Sequence, residues 1–236
     1  MALAPKTRKL LEKVSTATLT TQMLKRGFRN IFMQGVRALN DAGGNMVGEA
    51  TTLRYIPARE DLATVESLGS REHPQRKTIE HFPRGHVLVA DCRGEGGAAG
   101  VGAILVARLK ARGAAGFVCD GGVRDVAQAT RLGLPLYAQG PAAPANVTRH
   151  HAVDADLPVG CGGVAVFPRD VIVGDRDGVV VLPAHLAAEV AEAAFEQERL
   201  EDFLLAEVRG GAPLFGTYPP SEETMGRYHK RRKRGR

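Results

Sequence analysis

The sequence has no tryptophan, only 5% aromatic residues and three cysteines in 236 positions. No apolar run reaches the roughly 18 residues that a membrane-spanning helix needs. The N-terminal MALAPKTRKLLEKV has neither the apolar core nor the cleavage site of a signal peptide. We therefore expect a cytoplasmic protein with no membrane partner, whose hydrophobic content of 44% is enough to bury the core of one large domain.

The cysteines, Cys92, Cys119 and Cys161, are odd in number and show no C-x-x-C spacing. Two of them lie inside apolar runs that are typical of strands. This pattern predicts buried thiols and argues against a disulfide or a zinc site.

Basic residues are concentrated at the C-terminus. The formal charge of the whole chain is +6, and the last ten residues, RYHKRRKRGR, carry seven basic side chains, so the remainder has a formal charge of −1. This short segment has no hydrophobic partner in its own sequence, and we expect it to be disordered when free. It could be a solubilising end or a contact for RNA, a ribonuclease or an acidic protein.

Strand and helix patterns alternate from His86 to Ala138. The strand-like runs are HVLVAD, AGFVCD and LPLYAQ, and the helical runs between them are AILVARLKAR and VRDVAQATRL. Two consecutive βαβ units predict a parallel sheet with right-handed crossovers.

The flanking segments complete an α/β protein. Before the βαβ units we predict peripheral helices over 5–14 and 16–25, the second capped by Ser15, then a strand over 46–56 and a short helix over 75–81. After them, GGVAVF and DVIVGDRDGVVVLP look antiparallel, with the hairpin turn at 175–178, and a long amphipathic helix follows over 183–209. We expect an extension (1–14), one domain (15–209) and a basic tail (210–236).

A glycine-rich loop, RGEGGAAGVG, precedes the first helix of the βαβ region. The first amides of that helix, at Gly102, Ala103, Ile104 and Leu105, have no acceptor within the helix and favour an anion. The next helix begins at GGVRD, so we expect two helix N-termini side by side at the carboxyl edge of the sheet, where ligands of open parallel sheets bind.

Arg124 and Asp125 are the residues that suggest chemistry. A cation at a helix N-terminus opposes the helix dipole, which indicates a nearby anion, and its planar fork matches a carboxylate or an enolate. Asp125 could hold a hard metal ion while water and substrate oxygens complete the shell. It could equally be a local partner of Arg124 at the start of the helix.

A dinucleotide site is the rival interpretation of this loop. Gly94 to Ala99 fits G-x-G-x-x-A, and Asp120 ends the next strand as a ribose-binding acid would. Against it, Glu95 places a negative charge where a pyrophosphate would lie, and no second mononucleotide-binding half follows.

Two stretches carry a family resemblance: GAILVARLKARGAAGFVCDGGVRD and GVAVFPRDVIVGDRDGVVVLP. They resemble the family that unites the regulator of ribonuclease E activity with the class II 4-hydroxy-4-methyl-2-oxoglutarate aldolases, some of which carry an older demethylmenaquinone methyltransferase label. The resemblance covers roughly residues 15–204. We see no plausible site for a methyl-donor cofactor.

The resemblance implies an α-β-β-α sandwich that assembles as a trimer or hexamer, with the site near a subunit boundary. It also implies that the amides from Gly102 to Leu105, with Arg124, hold the pyruvate portion of the substrate. Asp125 would ligate Mg²⁺ or Mn²⁺. An acid from a neighbouring subunit would contribute as well, and Glu196, Glu198 and Glu201 are the candidates.

One position departs from the aldolase pattern. The pattern has an acid separated from the arginine by twenty intervening residues, and this chain has Ala103 there, which puts metal affinity and catalysis in question. Asp91, Glu95 and Asp120 are possible substitutes.

The leading hypothesis is thus a metal-dependent carbon–carbon lyase that acts on short 2-oxo acids through Arg124 and Asp125. The alternative is a non-catalytic, protein-binding regulator of a ribonuclease, because fold does not determine function. His150 and His151 are predicted to be surface or interface histidines, and Asp175 and Asp177 fit a turn better than a calcium loop.

Overall fold

The structure is a computed structural model that describes residues 2–234. Its α-helices are α1 (Pro5–Leu11), α2 (Thr16–Leu24), α3 (Pro74–Glu80), α4 (Ala103–Ala111), α5 (Val126–Ala129), α6 (Ala187–Arg209) and α7 (Glu222–Arg234). Short 3₁₀ turns lie at Glu66–Gly69, Thr130–Leu132 and Asn146–Thr148. Within residues 2–234, no helix has both the length and the apolar character that crossing a membrane would require.

The strands are β1 (Arg37–Ala38), β2 (Met46–Pro57), β3 (His86–Asp91), β4 (Ala99–Val101), β5 (Gly116–Cys119), β6 (Gly122–Val123), β7 (Leu136–Ala138), β8 (Gly140–Pro141), β9 (His150–Ala155), β10 (Val159–Cys161), β11 (Val164–Val166), β12 (Val171–Gly174) and β13 (Val179–Leu182).

The largest sheet has the order β1-β7-β5-β3-β2-β12-β13, and β9 joins it at β2. Neighbours β2, β3, β5 and β7 are parallel, which confirms the predicted parallel core and extends it by one strand. The β12–β13 hairpin is antiparallel, as predicted. Strand β11, from the GGVAVF run, pairs antiparallel with β10 in a separate ribbon.

Three apolar clusters divide the molecule into layers. The first lies between α3, α4, α5 and the outer face of β3, β5 and β7, with Val106 at its centre. The second lies between the inner faces of the strands, and it includes Val118, Val179 and residues of the β10–β11 ribbon. The third lies between β12, β13 and helices α1, α2 and α6, with Val190 fully buried. This succession is the α-β-β-α sandwich that the family resemblance implies.

The two N-terminal helices belong to the third layer, so they are less peripheral than predicted. Leu11 and Leu19 are fully buried against α6. Ser15 caps α2, as predicted, by accepting a hydrogen bond from the Thr18 amide, and its own amide donates to Glu198 at 2.8 Å. The described part of the predicted extension, residues 2–14, thus contributes to the packed layers, and the division of the chain into an extension, a domain and a tail stays a prediction.

The expectation that the basic tail is disordered is wrong for its described part. Residues 222–234 form α7. Tyr228 within this helix makes the hydrophobic contact with the rest of the chain that the basic residues cannot make. Its ring lies against Phe203 of α6 with centroids 5.5 Å apart, and Arg227 pairs with Glu207 at 3.0 Å. Residues 235 and 236 of the predicted tail lie outside the described residues.

Candidate functional site

Two short parallel strands that the sequence patterns missed bring the predicted site together. Strand β4 leads directly into Gly102, and β6 leads directly into Arg124. The strands pair with Val101 opposite Val123, and the Arg124 amide donates to the Val101 carbonyl at 3.1 Å. Because parallel strands end at the same edge, the start of α4 and the Arg124–Asp125 pair meet there.

Gly102 is the point of closest approach. A Cβ atom at this position would lie 2.9 Å from Arg124 Cγ and 3.1 Å from Asp125 Oδ2. Since the φ angle of Gly102 is −122°, the need for glycine arises from this contact and not from backbone strain. Gly102 therefore lets Arg124 and Asp125 lie directly against the N-terminus of α4.

The free amides of α4 are fewer than predicted. The Leu105 amide donates to the Gly102 carbonyl at 3.0 Å, within the first turn of the helix, so it is already engaged. Gly102, Ala103 and Ile104 come before the first intrahelical donor, and their amides are the ones left to face an anion. The predicted four-amide cradle is thus reduced to three.

Arg124 and Asp125 lie side by side and half exposed. Arg124 Nε is 3.6 Å from Asp125 Oδ2, and each side chain is 43% exposed. Asp125 has a left-handed backbone, with φ 56° and ψ 37°, and its carboxylate caps no amide of α5. That carboxylate therefore has oxygen lone pairs available for a ligand, and the structure brings both predicted residues to one place.

The N-terminus of α5 should attract an anion less strongly than predicted. The helix predicted over VRDVAQATRL ends after four residues as α5 and continues only as the 3₁₀ turn Thr130–Leu132. Its dipole is correspondingly small. Attraction of an anion to this side of the site rests mainly on the Arg124 guanidinium.

A cavity of about 270 Å³ opens over these groups. Gly102, Ile104, Leu105, Arg124 and Asp125 line one side of it. The volume lies just below the range of about 300–1,000 Å³ that drug-sized ligands occupy, which favours a small acid.

Ala103 is absent from the lining of this cavity. It is buried in the apolar cluster beneath α4, with 8% of its surface exposed.

The three acids considered as substitutes for the missing carboxylate do not reach the cavity. Each accepts hydrogen bonds from nearby loop amides: Asp91 from Arg93, Glu95 from Gly97, and Asp120 from Cys92, Gly94 and Gly162. These hydrogen bonds indicate that the three carboxylates stabilise the loop 92–98. Burial raises the pKa of Asp120, while its amide donors act in the opposite direction.

The loop also departs from a dinucleotide fold. Strand β4 stands between the G-x-G-x-x-A segment and α4, so the glycines do not lead directly into a helix N-terminus as that fold requires. The rival interpretation therefore lacks its structural context.

The acids of α6 have partners within the chain. Glu198 accepts from the Ser15 amide and hydroxyl, Glu201 from Gln197, and Glu196 from Arg232 and Arg199. A role for any of them in a neighbouring subunit stays a prediction.

The prediction that His150 is a surface or interface residue is wrong, because the ring is buried within the chain itself. It is 1% exposed, with Nε2 3.3 Å from the Ala98 carbonyl and Nδ1 3.4 Å from Nη2 of the Arg93 guanidinium. Burial lowers the pKa of His150. The polar sequence around His150 gave no signal for a strand, yet it forms β9. In this strand the His150 ring lies near Tyr55, with ring centroids 5.4 Å apart.

The thiols are buried and free, as predicted. A hydrogen bond with Cys119, together with burial, raises the pKa of Cys92 well above its ordinary value, and burial does the same for Cys161. Thiols in this state are poor nucleophiles. Asp175 serves its turn, as predicted, by accepting from the amide of Asp177 at 2.9 Å.

Sequence reasoning missed a polar network that contributes to the lining of the cavity. Gln75 of α3 donates to the Gly100 carbonyl at 2.6 Å and to the Tyr55 hydroxyl at 2.8 Å. Asn146 donates to Gln75 at 3.3 Å. The adjacent Arg76 also lines the cavity. No motif connects Arg76 with Arg124 in the sequence, since 47 residues separate them.

Asp125 provides a modest fit for a divalent metal ion. Within residues 2–234, no three His, Cys, Asp or Glu side chains converge as a metal site. A single free carboxylate beside a small-acid cavity suits an ion such as Mg²⁺, which keeps several waters and takes oxygens from its substrate. It does not suit a metal that needs a closed set of protein ligands.

The fold and the site define a class: α/β sandwich proteins in which a glycine-led helix N-terminus meets an Arg–Asp pair beside a small cavity. The RraA-like family model, described as Aldolase/RraA, matches residues 16–181, and the chain belongs to that family.

Three similar proteins illustrate the family's range. A protein of Halalkalibacterium halodurans, named as a candidate 4-hydroxy-4-methyl-2-oxoglutarate aldolase, is 30% identical over 163 residues, which are 69% of this chain and 71% of that one. The crystal structure of Streptomyces coelicolor RraAS2, described as an unusual member of the RNase ES inhibitor RraA family, is 33% identical. Its TM-score is 0.75, with coverage of 86% and 97% of the two chains. An uncharacterized protein from Pseudomonas syringae pv. tomato is 25% identical, with a TM-score of 0.81 and coverage of 92% and 95%.

Proposed function

We propose that this protein is a divalent-metal-dependent lyase that cleaves short 2-oxo acids to pyruvate. The reaction is the retro-aldol cleavage of 4-hydroxy-2-oxo acids, the decarboxylation of oxaloacetate, or both. The observation that carries the proposal is the contact of Gly102 with Arg124 and Asp125 at the mouth of a cavity sized for a small acid.

In this proposal the chain binds and orients the 2-oxo acid. The amides of Gly102, Ala103 and Ile104 and the guanidinium of Arg124 bind its carboxylate and the enolate that develops when the carbon–carbon bond breaks. Preorganised donors of this kind stabilise charge that appears in the transition state. The 43% exposure of Arg124 leaves its fork accessible to an incoming anion.

Asp125 would hold Mg²⁺ or Mn²⁺ through its free carboxylate. A bound ion supplies Lewis-acid polarisation of the 2-oxo group. A retro-aldol cleavage additionally requires a base for the proton of the C4 hydroxyl. Asp125 is the only carboxylate that lines the cavity among the described residues, and in this proposal it is engaged by the metal ion, so the base would be an acid from a second copy of the chain.

We also propose that the chain forms a homotrimer or hexamer, as its family resemblance implies. Ile104 lines the cavity with 82% of its surface exposed. Exposed apolar side chains beside a site are typical of surfaces that a partner covers. Light scattering on the purified chain measures the assembly directly.

The second candidate is a non-catalytic regulator that binds a ribonuclease. Ala103, which replaces the acid of the aldolase pattern and lies in the core, favours it, as does the similarity to the RraAS2 protein. In this case α7 would offer exposed cations to an RNA or a ribonuclease.

Pyruvate release separates the two candidates. The purified chain is assayed with oxaloacetate and with a panel of 4-hydroxy-2-oxo acids, with magnesium and with a chelator. We expect metal-dependent release that Arg124→Gln abolishes and that Arg131→Gln, an exposed arginine outside the cavity lining, leaves unchanged. Folded protein that releases no pyruvate from any substrate would exclude the lyase and leave the regulator.

A further inference from the structure

A second cavity, of about 940 Å³, shares no lining residue with the cavity at Gly102. Its walls come from residues 38–45, from Pro135 and Tyr137, and from the turn 175–177 between β12 and β13. The volume lies within the range of about 300–1,000 Å³ that drug-sized ligands occupy. This cavity can therefore hold a longer ligand than the 270 Å³ cavity can.

Tyr137 brings a hydroxyl without a partner to this second cavity. The residue is 5% exposed and lines the cavity, and its hydroxyl oxygen would lie 3.0 Å from a Cβ added at Gly174, next to the turn. The hydroxyl makes no hydrogen bond within residues 2–234, and burial with the negative charges of Asp175 and Asp41 raises the pKa of Tyr137. Because buried polar groups usually have a partner, an unpaired hydroxyl at a cavity wall indicates a ligand that supplies one.

The charged residues of the cavity leave an excess of two negative charges. Three aspartates and one arginine line it: Asp41, Asp175, Asp177 and Arg176. Arg176 pairs with Asp41, and Asp175 accepts from the amide and the hydroxyl of Thr16 at 2.7 and 2.8 Å. Asp177 is exposed, and its hydrogen bond within the described residues comes from its backbone amide, not from its carboxylate. The Asp177 carboxylate is thus the charged acceptor that the cavity leaves for a cation.

The chemistry of the free groups favours an organic cation over a metal ion. Within residues 2–234, no three His, Cys, Asp or Glu side chains converge as metal ligands. The amide nitrogen of Asn45 is engaged by the Leu11 and Val14 carbonyls, so its amide oxygen faces the cavity lining as a further acceptor. An ammonium group supplies positive charge and three hydrogen-bond donors. Two such groups on a flexible chain can reach acceptors that do not converge on one point.

We propose that this cavity binds an organic di- or polyammonium ion, with Asp177 and the Tyr137 hydroxyl as acceptors for its ammonium groups. The proposal does not rest on the lyase function, because the two cavities share no lining residue. For the same reason, a loss of cation binding in Asp177→Asn should leave ligands at Arg124 unaffected.

A matched pair of ligands tests the proposal by calorimetry on the full chain. 1,5-Diaminopentane and 1,5-pentanediol have the same length, and only the diamine is charged. At about 0.15 M salt, where long-range attraction is screened, the wild type should bind the diamine at least about tenfold more tightly than the diol. Asp177→Asn should weaken the diamine by about tenfold or more, and Tyr137→Phe by about two- to tenfold, as the loss of a charged and of a neutral acceptor predicts.

Two control variants remove the same groups elsewhere. Asp202→Asn, at an exposed acid of α6, and Tyr218→Phe, at a tyrosine that is 59% exposed, lie outside the cavity lining and should leave the Kd of the diamine unchanged. Equal losses in Asp202→Asn and Asp177→Asn would mean unspecific attraction and would overturn the proposal. Failure of the folded wild type to bind the diamine would overturn it too. So would magnesium binding that is lost in both Asp177→Asn and Tyr137→Phe, because the cavity would then hold a metal ion.

Discussion

Gly102 and Arg124 are packed so closely that no side chain fits between them. An added Cβ would lie 2.9 Å from Arg124 Cγ, a distance that real Cβ atoms essentially never show, so Arg124 would have to move. The glycine that begins α4 thus sets the position of the guanidinium.

We predict that Gly102→Ala impairs the site far more than the fold. Displacement of a binding group by about 1 Å can cost on the order of 10²-fold in rate, whereas alanine at a helix N-cap costs about 1 kcal/mol of stability. Pyruvate release and the Kd of oxalate should both worsen, while the melting temperature falls by only a few degrees. Gly160→Ala is the control, since a Cβ there meets nothing within 4 Å. Unimpaired oxalate binding in Gly102→Ala would show that the contact does not position Arg124.

Metal binding at Asp125 predicts a specific loss of ligand-induced stabilisation. Magnesium with oxalate, which mimics the enolate, should raise the melting temperature of the wild-type chain because both bind only the folded state. Asp125→Asn should lose this shift. Asp177→Asn, in the exposed β12–β13 turn, should keep it. A shift that survives in Asp125→Asn would assign the metal to other ligands.

The sequence predicted most of the framework because its signals were local. Alternating apolar strands and helices led to the parallel core, and the resemblance led to the four layers and to the Arg124–Asp125 pair. Strands β4 and β6 were missed because two or three residues carry no periodicity, and what makes them strands is their pairing with each other. Arg76 was missed for a similar reason, since only the tertiary fold brings α3 to the cavity.

The burial of Ala103 changes what an engineered acid should do there. From the sequence alone, Ala103→Asp should restore the carboxylate of the aldolase pattern and raise activity. Because Ala103 lies in the apolar cluster under α4, we now expect Asp at this position to lower the free energy of unfolding by about 1–3 kcal/mol. Ile104→Asp is the matched variant: Ile104 lies in the same helical turn, is 82% exposed and lines the cavity.

Urea unfolding of Ala103→Asp and Ile104→Asp tests whether an acid at position 103 is buried in the core. An acid in the first turn of a helix suits the helix dipole, so Ile104→Asp should cost little stability. If Ala103→Asp is as stable as Ile104→Asp and releases pyruvate faster than the wild type, the carboxylate at 103 reaches the site and the sequence-based expectation was right.

Two substitutions at Tyr228 should change the stability of the protein in opposite directions. Its ring packs on Phe203, but its hydroxyl is buried without a hydrogen-bond partner. Tyr228→Phe should therefore stabilise the protein by about 1 kcal/mol, since an unsatisfied buried hydroxyl is removed. Tyr228→Ala should cost about 3 kcal/mol, because it empties the contact between α7 and α6. Thermal unfolding measures both, and equal melting temperatures for the three proteins would mean that α7 does not pack on α6 in solution.

His150 predicts that stability falls as the solution becomes more acidic. Burial lowers its pKa in the folded state, so below the unfolded value of about 6.5 the unfolded chain binds a proton that the folded chain does not. Stability then decreases as pH falls through this range, by up to about 1.4 kcal/mol per pH unit for one proton. Protonation is disfavoured structurally as well, because Nδ1 faces the Arg93 guanidinium.

The test is urea unfolding between pH 7.5 and 5.5 for the wild type and for His150→Gln, whose amide can still donate to the Ala98 carbonyl. The free energy of unfolding should fall less steeply with acidity in the variant. Burial also lowers the pKa values of His73 and His86. It raises the pKa of Asp120, which has the opposite effect on the pH dependence of stability. These groups are present in both proteins. The difference in pH dependence between the wild type and the variant therefore reports the titration of His150. Parallel profiles would show that His150 titrates alike in the folded and unfolded chains, and hence that its ring is accessible to water in solution.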